Sequence, residues 1–181
     1  MSIMTSPASV ELIKKVKEVA FLEGEFITRA GKPTSYYIDK YLMETRPEVL
    51  GPLTDELSQL MPDPGTYDRI AAPELGAVAL AAMVSVKVNK PFIIVKKQSK
   101  DYGTQKLIEG HFEKGERVVV LEDILTTAGA ALRACDIVEE VGLTVTGIVG
   151  VVNREEGAEA NIEKAGYSMK ALLTTTDLKN A

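Results

Sequence analysis

Leu12, Val16, Val19 and Ala20 recur at the three- and four-residue spacing of one helical face, so the chain opens on an amphipathic helix. Ser6 followed by Pro7 supplies an N-cap and first helical position, and Gly24 can end the helix. Glu25–Thr28 and Tyr36–Asp39 read as short strands around the turn Ala30-Gly31-Lys32-Pro33. Pro47 opens a second helix, with Leu50, Leu53, Leu57 and Leu60 on its stripe, and Met61-Pro62-Asp63-Pro64-Gly65 forms a loop. From there strands and helices alternate. Ile70–Ala72 is a short strand, Gly76–Val88 an apolar helix, and Phe92–Val95 a buried strand. Val118–Leu121 is the next strand, followed by a helix that ends near Gly142. Leu143–Val152 is a strand, Glu155–Ala165 a helix, and Met169–Leu173 the last strand. Such alternation predicts an α/β fold with a mainly parallel sheet.

One stretch departs from the alternation. Gln98–Gly110 is polar, holds two glycines and follows a strand with no clear helix. Irregular segments of this length in compact domains are either surface excursions or functional lids.

Composition narrows the class. A chain of 181 residues with 45% hydrophobic and 26% charged residues predicts one soluble domain with a substantial core. The net charge of −5 argues against a general nucleic-acid binder, so an anionic ligand must be held by a few placed cations. Cys135 is the only cysteine and His111 the only histidine, which excludes an internal disulfide and leaves neither a thiol catalyst nor a zinc site well supported. The helical setting of Cys135 predicts a small buried filler, and His111 reads as a surface residue. No run approaches the ~18 apolar residues of a membrane span, and Met1–Ala8 lacks an apolar signal core. The chain is therefore expected in the cytoplasm.

The segment Val118-Val119-Val120-Leu121-Glu122-Asp123-Ile124-Leu125-Thr126-Thr127-Ala128-Gly129-Ala130 carries the strongest chemical signal. Four apolar residues make a buried strand, and two acids stand at its carboxyl end, where open α/β sheets bind ligands. A run of small and hydroxyl residues then enters a helix, whose free amides and positive dipole end suit a phosphate. Acids repel a bare phosphate but accept hydrogen bonds from sugar hydroxyls, so the combination describes a ribose phosphate. Mere capping of the helix by the acids is the alternative.

This segment resembles the PRPP-binding signature of type I phosphoribosyltransferases. The resemblance implies Glu122 and Asp123 on the ribose hydroxyls, and Thr126, Thr127, Ala128, Gly129 and Ala130, with Ile124 and Leu125 leading in, around the 5′-phosphate. Four further segments resemble the orotate phosphoribosyltransferase family in particular. Gly24–Gly31 with Ser35–Asp39 is similar to its N-terminal substrate hairpin, and Ala72-Pro73-Glu74-Leu75-Gly76-Ala77 to its pyrophosphate loop. Val95–Thr104, running on to Ile108-Glu109-Gly110, is similar to its mobile catalytic loop, and Val151–Ala158 to the segment whose arginine holds orotate. The resemblance covers roughly Phe21 to Leu178 and implies a single phosphoribosyltransferase domain over 1–181, with a hood over about 1–45 and a mobile loop over about 98–110.

It further implies PRPP contacts from Arg29, Lys96, Lys97, Lys100 and Tyr102, orotate contacts from Tyr37, Ile38, Thr126 and Arg154, and catalytic roles for Lys100, Glu122 and Asp123. Mg²⁺ would enter with PRPP, held mainly by the pyrophosphate and water, with no direct protein ligand. The implied assembly is a homodimer whose mobile loop reaches the neighbouring site. Departures from the family pattern are Lys96 for an arginine, Ala79 for proline, Ala128 for glycine and Asn153 for aspartate. Two rival readings share the fold: transfer to a purine base or uracil, and a regulator that senses PRPP without turnover. Arg154 and the Tyr36–Asp39 hairpin argue against the first. Lys100, with no added DNA-binding segment, argues against the second.

Overall fold

The computed structural model describes residues 7–27, 31, 33–97 and 106–181. Helix α1 spans Val10–Ala20 and turns Leu12, Val16 and Ala20 inward. Its N-cap is Ser9, whose hydroxyl accepts from Leu12 N; Ser6 lies outside the described residues. Ser9 is selected by a distant partner: the Glu56 carboxylate accepts from both its backbone N (2.7 Å) and its hydroxyl (2.5 Å). Gly24 does not end the helix. The chain passes from Ala20 directly into strand β1 (Phe21–Ile27), and Gly24 sits where the register with β2 (Pro33–Ile38) shifts. Without a side chain it tolerates that irregularity, which is also why it resembles a stop signal in sequence.

β1 and β2 form their own antiparallel two-stranded sheet. The short helix α2 (Lys40–Glu44) follows, capped by Asp39, whose carboxylate accepts from Tyr41 N and Leu42 N. Helix α3 (Pro47–Leu60) starts on its proline and buries Val49, Leu53 and Leu57.

The main sheet has the order β5-β4-β3-β6-β7-β8. Its strands are β3 (Arg69–Pro73), β4 (Phe92–Val95), β5 (Ile108–Glu109), β6 (Arg117–Leu125), β7 (Thr144–Asn153) and β8 (Met169–Thr174). All neighbours are parallel except β4 and β5. Helices α4 (Gly76–Val88), α5 (Gly129–Glu140) and α6 (Ala158–Lys164) make the crossovers, and α7 (Thr175–Asn180) closes the chain with a capping box of Thr174 and Asp177. The α/β class and the mainly parallel sheet expected from the alternation are both present. Helix α6 is shorter than the predicted Glu155–Ala165, because Glu155 and Gly157 both take left-handed backbone before it starts.

Apolar side chains divide into two clusters. One joins α1, α3, α4 and α7 to the sheet through residues such as Leu12, Leu53, Leu80 and Leu178. The other, including Ile93, Val118, Cys135 and Ile162, joins α5 and α6 to it. The sheet is thus covered on both faces, as a parallel sheet requires. From β3 the chain winds outward to β4 and β5, and from β6 it winds the other way to β7 and β8. The carboxyl ends of β3 and β6 therefore flank a topological switch, where a crevice opens between diverging connections.

Candidate active site

Two segments border that crevice. After β3 the chain runs Glu74-Leu75 into Gly76 at the start of α4, with a cis Glu74–Leu75 peptide bond. After β6 it runs Thr126-Thr127-Ala128 into α5. Between them lies a cleft of about 470 Å³. Glu122, Asp123, Ile124, Thr126 and Ala130 line one side, Pro73 and Glu74 the other, and Lys40, Lys97 and Arg133 bring positive charge. Two roomier grooves lie elsewhere, about 690 Å³ beside α1 and Ala181 and about 650 Å³ on the β1–β2 hairpin. In the first, the Lys17 ammonium is already bonded to the Ala181 carbonyl at 2.6 Å, and the second is lined by hairpin residues with a single charge, Glu25. Converging charge of both signs marks the smaller cleft as the chemical one.

Glu122 and Asp123 form its floor, with 6% and 3% of their surface exposed. Asp123 is held from two sides: Oδ2 accepts from Lys40 Nζ at 2.5 Å, and Oδ1 accepts from Ile124 N at 2.6 Å. Glu122 Oε1 accepts from Asp123 N at 3.2 Å, while Oε2 is buried with no partner. Burial, then the adjacent Asp123 charge, pushes the Glu122 carboxyl well above the usual carboxylate range. One turn beyond Lys40, Glu44 is buried with Oε1 unpartnered, and burial followed by repulsion from Asp123 raises its carboxyl to about 8. Burial pulls the Lys40 ammonium down, but its hydrogen bond and attraction to Asp123 outweigh that and leave it raised.

Ala128 caps α5 in left-handed backbone, φ 64°, with no side-chain hydrogen bond to the first turn. The first intrahelical bond at this end runs from Leu132 N to the Ala128 carbonyl. The preceding amides have no intrahelical acceptor and carry the positive end of the helix dipole. Buried acids beside such amides can accept from a sugar diol while the amides receive a phosphate. Ala128 is itself only 3% exposed, so its methyl turns into the core. Thr127 is exposed, and its carbonyl accepts from Asn161 Nδ2 at 3.0 Å. Leu125 points its side chain into the core and offers the site only backbone; its carbonyl accepts from Arg154 N at 2.8 Å.

Arg154 follows β7, the strand next to β6. Its Nη2 lies 2.9 Å from Glu156 Oε1 and 3.2 Å from the Tyr36 hydroxyl, its guanidinium stacks over the Tyr36 ring, and its Nε is buried without a partner. Tyr36 in turn stacks on Phe21. Strand alternation gives Tyr36 and Ile38 one face and Tyr37 the other. Ile38 is buried in the core, and Tyr37 is half exposed beside Phe26. The hairpin residue brought to Arg154 is thus Tyr36. Lys96 bonds Glu109 at 2.7 Å across the β4–β5 pair, and Lys97 N donates to Glu74 Oε1 at 2.7 Å. Arg29, Lys100 and Tyr102 lie outside the described residues. Sequence reasoning missed Lys40 and Arg133; Arg133 was detectable, since it lies three residues after Ala130 and therefore on the same helical face. Among the described residues, no cluster of three or more His, Cys, Asp or Glu could hold a metal ion, and no helix is long and apolar enough to cross a membrane.

A parallel sheet whose switch-point crevice joins an acid pair to an open helix end defines the phosphoribosyltransferase class, and residues 48–172 match the phosphoribosyl transferase domain. A TM-score of 0.81 relates the chain to the orotate phosphoribosyltransferase of Aeropyrum pernix, at 25% identity over 94% of this chain and 96% of that one. The chain is 43% identical over 169 residues to the orotate phosphoribosyltransferase of Methanocella arvoryzae, covering 93% of this chain and 94% of the relative, and 41% identical to that of Pyrococcus abyssi, covering 94% and 95%. This protein belongs to the orotate phosphoribosyltransferase family.

Proposed function

We propose that the chain transfers ribose 5-phosphate from PRPP to orotate, giving orotidine 5′-monophosphate and pyrophosphate, the step that leads to UMP in de novo pyrimidine synthesis. The observation that carries this reading is the buried Glu122–Asp123 pair beside the open end of α5, with Arg154 at the end of the adjacent strand. Glu122 and Asp123 accept from the ribose hydroxyls, and Thr126 to Ala130 surround the 5′-phosphate. In the reaction the bond from the anomeric carbon to pyrophosphate breaks, its electron pair leaves with pyrophosphate, and orotate N1 loses its proton and bonds the carbon. Positive charge grows on the ribose and negative charge on the leaving group, so cations aimed at the pyrophosphate speed the step. Lys97 lines the cleft and fits that role; Arg29, Lys96, Lys100 and Tyr102 are assigned to it by the family resemblance.

The donor set also bears on Mg²⁺. Both Asp123 oxygens already have donors, which fits an ion carried by pyrophosphate oxygens and water better than one caged by protein. When bound, such an ion neutralises charge on the leaving group. Arg154 fits the orotate carboxylate, since a guanidinium grips that group through paired N–H donors and its Nε is unpaired. Thr126, which lines the cleft, and Tyr36, which stacks under Arg154, stand where they can add to the orotate contacts, whereas Tyr37 and Ile38 are assigned to them by the family resemblance alone. We further assign the chain one domain over 1–181 with a hood over about 1–45, a cytoplasmic location, and a homodimer whose 98–110 loops are shared between sites.

The test is the ultraviolet absorbance change as orotate is consumed with PRPP and Mg²⁺. Turnover with adenine or uracil and none with orotate would overturn the assignment. Arg154→Ala is expected to weaken orotate binding far more than PRPP binding, by about 3–5 kcal/mol for a buried carboxylate that loses its charged partner. Calorimetric titration of the two ligands checks this, and equal losses would give Arg154 a general supporting role.

A further inference from the structure

Lys40 stands apart from the other cleft cations. Asp39 caps α2 and thereby sets Lys40 as the first residue of that helix. From there its ammonium crosses to β6 and meets Asp123 Oδ2 at 2.5 Å, over a separation of 83 residues. The pair packs against bare backbone: a Cβ built on Gly76 would lie 1.5 Å from Asp123 Oδ2 and 2.7 Å from Lys40 Nζ. Glycine at the start of α4 leaves the socket the pair fills. Lys97 and Arg133, by contrast, have no ion-pair partner among the described residues.

We infer that Lys40 is a positioning residue, which fixes the Asp123 carboxylate in the orientation that receives the ribose hydroxyls and does not itself bind phosphate. The inference rests on the ribose phosphate reading of the acid pair. Lys40 and Ile124 N each take one oxygen of Asp123, so the carboxylate cannot rotate, and each oxygen keeps a lone pair for an incoming hydroxyl. A carboxylate fixed before the ligand arrives spares the ordering cost on binding. Glu44 does not compete for the ammonium at neutral pH, because its buried carboxyl, raised to about 8, stays mostly protonated. The positive charge of Lys40 is therefore committed to Asp123.

Calorimetry with two fragments separates positioning from direct phosphate binding. Ribose 5-phosphate carries the hydroxyls, and Mg²⁺-pyrophosphate lacks them. Lys40→Met is expected to weaken ribose 5-phosphate by roughly tenfold, the scale of one charge-assisted hydrogen bond, while pyrophosphate stays within about twofold. In an Asp123→Asn background, Lys40→Met should cost nothing further, because the residue it acts through is already altered. Equal weakening of both fragments, or losses that simply add in the double variant, would overturn the inference. If Asp123→Asn alone leaves ribose 5-phosphate binding unchanged, the ribose reading fails and takes the inference with it. Should Lys40→Met fold poorly, Lys40→Gln, which keeps a donor without the charge, carries the same comparison.

Discussion

At the residue scale, the cleft floor concentrates more acid than its surroundings can hold ionised. Glu44 shows the consequence. Its carboxyl is raised by burial first and by Asp123 second, with Asp39 adding to the shift and Lys40 opposing it. The folded state therefore keeps a proton that the unfolded chain gives up near the ordinary value of 4.5. The contribution of Glu44 to stability is fullest below that value, falls as pH rises towards about 8, and is lost above it. Glu44→Gln removes this loss, by an amount on the order of a few kcal/mol, and so should flatten the decline. Thermal melts of both proteins from pH 5 to 9 check this: the variant should gain on the wild type towards alkaline pH, and parallel curves would show that Glu44 titrates normally. Glu122 is raised in the same direction and leaves a residual slope in the variant.

At the element scale, the site depends on how β6 is gripped from behind. A Cβ on Gly150 of β7 would come within 2.4 Å of Leu125 Cδ1 and 2.9 Å of its Cγ. Leu125 is the last residue of β6, immediately before the turn into α5. Gly150→Ala is expected to cost about 1–3 kcal/mol by overpacking and, through Leu125, to raise the KM for PRPP. Melting temperature and steady-state kinetics measure both effects; a fall in stability with unchanged KM would uncouple the strand from the turn. The long elements were legible in sequence because their periodicity is sustained, as in α3, or because an apolar run ends in chemistry, as in β6. Those that were missed, α2, β5 and α7, have 5, 2 and 6 residues, too few for a period to show. The helix start at Ser9 was decided by Glu56, a partner 47 positions away. Lys40 escaped for the same kind of reason: nothing local marks it, and its pairing with Asp123 exists only once the fold brings the start of α2 within reach of the end of β6. The acid pair was legible because strand, acids and turn are contiguous.

At the scale of the whole molecule, the proposed shared loop makes a prediction that a self-contained site does not. Lys100→Ala and Asp123→Asn should each be nearly inactive. Mixed under conditions that exchange subunits, they would form hybrid dimers in which one site carries both defects and the other neither. Activity should then return to roughly a quarter of wild type, since about half the dimers are hybrids with one intact site of two. No recovery, with exchange confirmed independently, would mean that each loop closes over its own subunit. The proposed loop also lends itself to selective labelling. The chain's only thiol, Cys135, is fully enclosed, and burial, then Glu139 and Asp136, pushes it up to about 12. Because the thiolate is the reactive form, the native protein should be inert to a thiol reagent such as Ellman's that labels it at once when denatured. A cysteine introduced into 98–110 would then be the sole point of attachment for a fluorophore or spin label, with no background to remove.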